Sequence, residues 1–290
     1  MDFKRILVAI NSPNGRDAAF ERGLALAREH GGELYLLHAV PVNQRFSFRA
    51  AERLERAEDM RRRAEDAGVR VHTVEQHGDP AEIIELHANA RAADLIVMGG
   101  EPRRGWRRRH RSLVAEEVIR RTHVPTLVVP SDVHGSPTAF RNVLVAVDLS
   151  PSSTNVIEGA VRLTGDTAVR LTVMHTVNAV EAAAAVHSGG WWMVPEPRPH
   201  ILEDTRRALE AAVSAVPAGV GTHVQVSTGS AARTILERAA EVSADLVVVG
   251  RSRGFKVLGS TALRVLRKND RALLVIPSVA DRRVAGQRAA

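Results

Sequence analysis

The sequence contains no cysteine, a single tyrosine and few aromatic residues of any kind, which make up 3% of its 290 residues. Without cysteine, the chain can have no disulfides, thiolate zinc sites, iron–sulfur clusters or cysteine nucleophiles. With so few aromatic rings, a platform on which single-stranded nucleic acid stacks is not expected. No apolar run approaches the roughly 18 residues that cross a bilayer, and the first residues lack the pattern of a signal peptide. We therefore expect a cytoplasmic protein that has no membrane partner.

The charge of the chain is mildly basic and unevenly distributed. Forty Lys and Arg against 33 Asp and Glu give a formal net charge of +7, with a charged fraction typical of a globular protein. Six arginines and one histidine, with no acid among them, lie in the segment 103–111. Such runs are usually solvated loops. The alternative is a contact to a phosphate or to a partner through Arg107, Arg108 and Arg109, with nucleic acid the less favoured partner.

The chain repeats itself. Residues 6–11 read like residues 143–148, and residues 94–99 read like 245–250. The second copy carries 14 extra residues around 188–199 and is four residues shorter after Gly250. We predict two duplicated domains, residues 1–131 and 140–278, joined by a short linker and followed by a disordered tail at 279–290.

Short, largely β-branched runs alternate with segments of helical spacing in both copies. Because the runs are apolar along their length, burial on both faces is expected, as in a parallel sheet covered by helices. The predicted fold class is α/β, with two tandem five-stranded doubly wound domains. The fourth helix of the first copy is expected at 114–121. The predicted strands are 5–10, 33–40, 69–74, 94–98 and 125–129, then 143–148, 169–176, 222–228, 245–249 and 272–276.

The last strand of each copy is expected to face that of the other, since an unpaired strand edge must be covered. Residues 127–129 and 273–276 would then join the copies into an intrachain pseudo-dimer. A further homodimer and an unidentified protein partner stay open. Trp191 and Trp192, in the inserted segment, either cover an apolar edge or anchor such a partner.

In an open α/β sheet, ligands bind beyond the carboxyl ends of the strands, where the strand order reverses. With the order 3-2-1-4-5, the loops after the first and fourth strands line that crevice. In the second copy they contain Asp148, which could accept hydrogen bonds from ribose hydroxyls, and Gly250 and Gly254, which let the backbone approach a phosphate. The segment 259–261 then opens a helix whose N-terminus favours anions. The structural alternative for Asp148 is a helix cap or an Asx turn.

Two familiar nucleotide signatures do not occur. Neither copy has G-x-G-x-x-G after its first strand, nor a G-x-x-x-x-G-K-[ST] loop, which argues against a dehydrogenase and a Walker-type NTPase. His38 and His175 occupy equivalent places and are interpreted as structural, because a metal site needs three or four ligands. No catalytic residue and no metal ligand is assigned.

Taken in order, these segments resemble the universal stress protein family in both copies, over residues 4–277. The matching pieces are 6–12, 78–80 and 94–99 in the first copy, and 143–150, 245–250 and 259–261 in the second, with the closing strands of both. The resemblance implies a 3-2-1-4-5 sheet of the adenine-nucleotide alpha-hydrolase-like kind and a stress-response or regulatory role. It also implies a cytoplasmic location and domains paired through their fifth strands. Some members of the family bind ATP or AMP and others do not.

Nucleotide-binding members share an acidic residue after the first strand and the motif G-2x-G-9x-G-[ST]. The second copy keeps most of this pattern, but Arg253 stands in place of the second glycine and the loop is four residues short. The first copy departs further, with Asn11 for the aspartate, Pro102 for the second glycine and Ser112 for the last. The resemblance therefore implies an ATP or AMP site in the second copy and none in the first. Its residues would be Asp148, Thr176, which would lie against the base, Gly250, Arg251, Gly254, Gly259, Ser260 and Thr261.

Two other functions compete with this interpretation. A weak ATP hydrolase or nucleotidyl transferase using the Gly250 loop ranks lower, because no general base or metal-binding acid stands out near that loop. A nucleic-acid-binding or partner-binding module using the arginine-rich segment 103–111 is the other. A regulatory nucleotide-binding protein is favoured over an enzyme.

Overall fold

A computed structural model describes residues 3–10, 17–42, 50–100, 108–130, 139–165, 169–177, 199–214, 216–217, 219–251 and 258–278. Several sequence-based predictions lie outside these residues: those on Asn11, Pro102, Arg107, Trp191, Trp192, Arg253, Gly254, the linker and the tail, and those on the side chains of Arg108 and Arg109.

The first copy alternates strands and helices throughout. Its fourth helix begins at Arg108, six residues before the predicted start, inside the arginine-rich segment. The elements are β1 (Arg5–Ala9), α1 (Ala18–His30), β2 (Glu33–Val40), α2 (Ala50–Asp66), β3 (Val71–His77), α3 (Pro80–Ala90), β4 (Leu95–Gly100), α4 (Arg108–Arg121) and β5 (Thr126–Pro130).

The second copy repeats the same alternation. Its fourth helix begins at Ser260, where the sequence predicts a helix start. The elements are β6 (Asn142–Ala146), α5 (Ser153–Thr164), β7 (Arg170–Val177), α6 (Pro199–Val213), β8 (Gly221–Thr228), α7 (Ala231–Glu241), β9 (Leu246–Gly250), α8 (Ser260–Lys268) and β10 (Ala272–Ile276).

The two copies share one ten-stranded sheet with the order β3-β2-β1-β4-β5-β10-β9-β6-β7-β8. Each half is parallel and has the predicted order 3-2-1-4-5, which is confirmed. The halves meet where β5 and β10 pair antiparallel, with Leu127 opposite Leu274 and Val128 opposite Leu273. These are the two edge strands that the sequence predicts to face each other.

Burial follows position in the sheet. Every residue of β5 and β10 is buried, as expected for strands covered on both faces. The same expectation is wrong for β3 and β8, in which no residue is fully buried. These strands form the two outer edges of the sheet, so water reaches them from the side. Within the described part of the chain, no helix is both long and apolar enough to cross a membrane.

Buried aromatic rings link the copies on one face of the sheet. The Arg22 guanidinium lies 4.1 Å from the ring centroid of Phe140, and that of Arg162 lies 4.6 Å from the ring centroid of Phe3. Phe3 and Phe140 hold equivalent places before β1 and β6. Burial lowers the pKa of Arg22, although Asp245 and Glu29 act to raise it. Each copy thus supplies a cation to the other's leading phenylalanine.

An aspartate before the fourth strand anchors the start of the first strand in each copy. Asp94 Oδ2 accepts hydrogen bonds from the backbone N–H groups of Lys4 and Arg5, at 3.1 and 2.9 Å. Asp245 Oδ2 accepts from those of Arg141 and Asn142, at 2.8 and 3.2 Å. The second bond pair fixes the amino end of β6, whose other end leads to Asp148.

Replacing Asp245 with alanine is expected to lower the free energy of unfolding by about 1–2 kcal/mol, because two backbone donors lose a charged acceptor. Asp245→Asn, which keeps one acceptor oxygen, should lose less. Guanidinium chloride unfolding followed by circular dichroism measures both. The control is Asp204→Ala, which removes an exposed surface pair with Arg207 and should change stability by less than about 0.5 kcal/mol. Equal losses in Asp204→Ala and Asp245→Ala would contradict the anchoring role.

Candidate functional site

Polar groups from the second copy collect at the carboxyl ends of its strands. β6 lies between β7 and β9, so the strand order reverses there, and a crevice opens beyond the strand ends. A cavity of about 140 Å³ occupies this position. Among the residues lining it are five of the predicted site, Asp148, Thr176, Gly250, Arg251 and Thr261.

This cavity is small beside the 300–1,000 Å³ of typical ligand pockets. A larger groove, of about 850 Å³, lies at the amino ends of the first-copy strands, around Lys4, Gly32 and Asp94. Asp94 accepts hydrogen bonds there from the backbone at the start of β1. Lys4 Nζ donates to the His30 carbonyl at 2.5 Å. Volume alone therefore does not identify the site; the convergence of polar groups at the strand reversal does.

Asp148 is held in a tight local turn. Its Oδ1 accepts hydrogen bonds from the Ser150 backbone N–H at 3.0 Å and the Ser153 hydroxyl at 3.4 Å. Leu149, between Asp148 and Ser150, has φ +56°, a left-handed conformation that non-glycine residues rarely adopt. The Asx-turn alternative is thus present in the structure. It does not compete with a binding role, because the carboxylate also lines the cavity.

The turn also sets the charge of Asp148. Although the residue as a whole is exposed, its carboxylate is partly enclosed, and burial acts to raise its pKa. Hydrogen bonds from Ser150 and Ser153 outweigh that effect and hold the pKa below the ordinary value of 3.8. Asp148 therefore stays a carboxylate, an acceptor of hydroxyl hydrogen bonds, throughout the neutral and mildly acidic range.

Gly250 and the first turn of α8 also contribute to the cavity lining. A Cβ at Gly250 would lie 3.0 Å from Val156 Cγ2, so close packing against α5 is one reason for glycine there. Gly259 is the residue before α8, and Thr261 stands in the first turn at the cavity. Backbone N–H groups of a first helical turn have no partner within the helix, and they favour an anion.

The corresponding helix of the first copy begins elsewhere. The sequence repeat aligns Leu113 with Ser260, yet α4 begins at Arg108 while α8 begins at Ser260. Five extra residues displace the helix start by roughly 7 Å. The first copy thus lacks a helix N-terminus at the place where the second copy has one.

The side chain of Arg251, a predicted site residue, donates hydrogen bonds to the first copy. It is only 3% exposed, and its Nη1 donates to the carbonyl oxygens of Ile119, Arg120 and Thr122 at 2.7, 3.1 and 2.8 Å. These carbonyls belong to the C-terminal end of α4, in the first copy. The nucleotide contact predicted for Arg251 is therefore not the contact that Nη1 makes here.

Ser278, which sequence reasoning missed, also lines the cavity. It follows β10 and is 5% exposed. Among the described residues, none forms a hydrogen bond with its buried Oγ. A lone serine after a strand matches no motif, so only the assembled cavity reveals it.

The two equivalent histidines are held differently. His175 Nδ1 lies 2.8 Å from the Val147 carbonyl oxygen, which requires the tautomer with the proton on Nδ1. His38 Nδ1 instead lies 3.3 Å from Glu75 Oε2. Across the described ranges, no three His, Cys, Asp or Glu side chains are grouped as a metal ion would require. Both histidines thus connect neighbouring elements of the fold.

His38 is expected to make the fold sensitive to acid. Burial lowers its pKa, Glu75 acts to raise it, and Arg53 and His77 act to lower it. A histidine with a lowered folded-state pKa stabilises the fold above its unfolded value of about 6.5, and that stability is lost as the pH falls. Unfolding midpoints measured between pH 7.5 and 5 should therefore fall less in His38→Gln than in the wild type.

Glu75→Gln provides the opposite control for this pH effect. Without the carboxylate, the pKa of His38 should drop further, so the loss of stability on acidification should become steeper. Parallel pH profiles in the wild type and both variants would show that His38 does not carry the effect.

The architecture is that of a tandem α/β protein in which one crevice, at a reversal of strand order, collects a carboxylate, hydroxyls and a helix N-terminus. A model of the Universal stress protein family matches residues 2–130 and again residues 139–277. The chain belongs to this family, and it carries two copies of the family's domain.

Relatives and solved structures agree with that assignment. Universal stress protein MJ0531 of Methanocaldococcus jannaschii is 30% identical over 139 residues, 44% of this chain and 82% of that protein. A protein of Pseudomonas aeruginosa, PA1789, described as functionally unknown, has a TM-score of 0.71 at 17% identity, covering 99% of this chain and 97% of its own. A universal stress protein from Archaeoglobus fulgidus has a TM-score of 0.66 at 21% identity, covering 97% and 99%. Likeness at these low identities concerns the fold alone.

Proposed function

We propose that the second copy binds an adenine nucleotide, ATP or AMP, and that the protein acts as a regulatory, stress-response protein. One observation carries the proposal: Asp148, Thr176, Gly250 and Thr261 come from four separate segments and line one cavity at the strand reversal. No catalytic step is proposed.

The chemistry of the cavity suits the parts of a nucleotide. Asp148, charged and placed on one wall, can accept hydrogen bonds from the ribose hydroxyls. Thr176, at the end of β7, would lie beside the base, and the first turn of α8 would receive a phosphate. The four-residue shortening after Gly250 removes part of the phosphate loop, so a single phosphate fits the site better than a triphosphate chain. AMP is therefore expected to bind at least as well as ATP.

Two polar groups near the cavity, the Ser153 hydroxyl and His175 Nδ1, are occupied in structural contacts. Ser153 donates to Asp148, and His175 Nδ1 faces the Val147 carbonyl. The arrangement therefore supports binding with a conformational consequence better than it supports turnover. A bound nucleotide would act by favouring one arrangement of the surface that meets a partner.

Asp148→Ala should weaken AMP binding by roughly 10- to 100-fold, since a hydrogen bond to a charged group contributes about 1.5–3 kcal/mol. Isothermal titration calorimetry of the full chain, with AMP and ATP up to millimolar concentrations, measures the effect. The matched control is Asn11→Ala in the first copy, which should leave the affinity unchanged. No heat from either nucleotide with the wild-type protein would overturn the proposal.

Ser278→Ala tests whether a second residue of the cavity contacts the ligand. If the buried Oγ bonds the ligand, its loss should weaken AMP binding about 3- to 10-fold. The ligand-free protein should not lose stability, because the hydroxyl has no hydrogen-bond partner among the described residues. A variant that binds AMP as the wild type does, or that is less stable without ligand, would show that Ser278 is not a ligand contact.

A further inference from the structure

One side chain of the candidate crevice crosses into the other copy. The backbone of Arg251 follows Gly250 at the cavity, and its N–H donates to the Ile276 carbonyl of β10 at 2.8 Å. The guanidinium reaches three carbonyl oxygens at the end of α4, those of Ile119, Arg120 and Thr122. A single residue thus contacts the wall of the second-copy crevice and a helix of the first copy.

The acceptors of the Arg251 hydrogen bonds are backbone carbonyl groups at the C-terminal end of a helix. The last carbonyl groups of a helix have no partner within the helix, and they form the negative end of its dipole. A buried cation donating to them satisfies oxygens that are otherwise enclosed without water. Nη1 carries two hydrogens and lies within bonding distance of all three oxygens, so one hydrogen is shared between two carbonyl groups.

The equivalent position of the first copy makes no such contact. The residue aligned with Arg251 in the first copy is Gly100, 151 positions earlier, which has no side chain. A Cβ there would already lie 3.1 Å from Val128 Cγ1 and 3.5 Å from the Val129 carbonyl oxygen. The first copy therefore sends no matching side chain into the second.

A second contact joins the same helix to the second copy and serves as a control. Arg267 of α8 lies with Nη2 2.8 Å from Glu116 Oε2 of α4. Arg267 does not line the cavity, and its side chain is 52% exposed. Like Arg251, it joins the two copies. Unlike Arg251, it does not contact the crevice.

We propose that Arg251 is a positioning residue that ties the Gly250 end of the nucleotide crevice to the C-terminal turn of α4. Ligand binding in the second copy is thereby transmitted to the first copy. The other end of α4 begins at Arg108, so the helix runs from the crevice to the arginine-rich segment of the sequence. The ligand-dependent part of this inference rests on the proposed nucleotide site; the tie between the copies does not.

Hydrogen–deuterium exchange of the full chain, with and without saturating AMP, tests the inference. In the wild type, AMP should slow exchange of the backbone amides at 119–124. Arg251→Met keeps the stem but removes the donors. It should lose this protection and bind AMP roughly 10-fold more weakly, within the usual range of coupling between sites. Arg251→Lys supplies three donor hydrogens on one nitrogen and should restore most of both effects, whereas Arg267→Ala should keep them.

The outcomes separate this inference from the proposed function. If the wild type binds AMP but Arg251→Met binds it equally well and keeps the protection at 119–124, the positioning role is wrong and the nucleotide site stands. If the wild type binds no AMP, the nucleotide site and the transmission fall together. The ligand-free comparison then decides the tie: faster exchange at 119–124 in Arg251→Met supports it, and unchanged exchange refutes it. Arg251→Lys supplies the same comparison if the methionine variant does not fold.

Discussion

The antiparallel pairing of β5 with β10 is the constraint on which the rest of the molecule depends. The last strand of a parallel sheet exposes a row of unpaired N–H and C=O groups, and here every residue of both strands is buried. Neither strand could remain an edge without leaving those groups unsatisfied in an apolar setting. Pairing them with each other satisfies both copies at once and makes a single ten-stranded sheet.

That pairing also decides which helices meet. The two antiparallel strands bring α4 and α8 together across the junction, where Arg267 pairs with Glu116. The helix that follows the fourth strand of each copy therefore packs against its counterpart from the other copy. Arg251 can reach the end of α4 only because of this arrangement.

The duplicated copies have kept their framework and diverged at their crevices. Asp94 and Asp245 make the same bonds to the first strand, and Ala92 and Ser243, 151 residues apart, have φ values of +47° and +49°. These features are needed to close each sheet. In contrast, the start of the fourth helix and the residue after the fourth strand differ. The anchoring aspartates thus belong to a framework that both copies share, whereas the residues around the crevices differ between the copies.

The same distinction explains what the sequence could predict. Apolar runs repeated in two copies predicted the strands, and the need to cover an unpaired strand edge predicted which strands face each other. The strand order was implied by the family resemblance. The exposed residues of β3 were missed because the pattern does not tell an edge from a centre. Asp148 and Gly250 could be located from the strand-reversal rule, and their nucleotide role stays a prediction. The partners of Arg251 depend on how the copies pack, which no local pattern encodes.

Two buried polar side chains in the crevice of the second copy differ in their hydrogen bonding. The Arg251 guanidinium is charged, and its burial is tolerable because carbonyl oxygens of the first copy accept its hydrogen bonds. The Ser278 hydroxyl is neutral, and its Oγ is buried with no hydrogen-bond partner among the described residues. Folding alone gains nothing from burying such a hydroxyl, since alanine would avoid the loss of its bonds to water. The crevice is therefore lined both by a hydroxyl that no described residue bonds and by a cation whose Nη1 is bonded to the other copy.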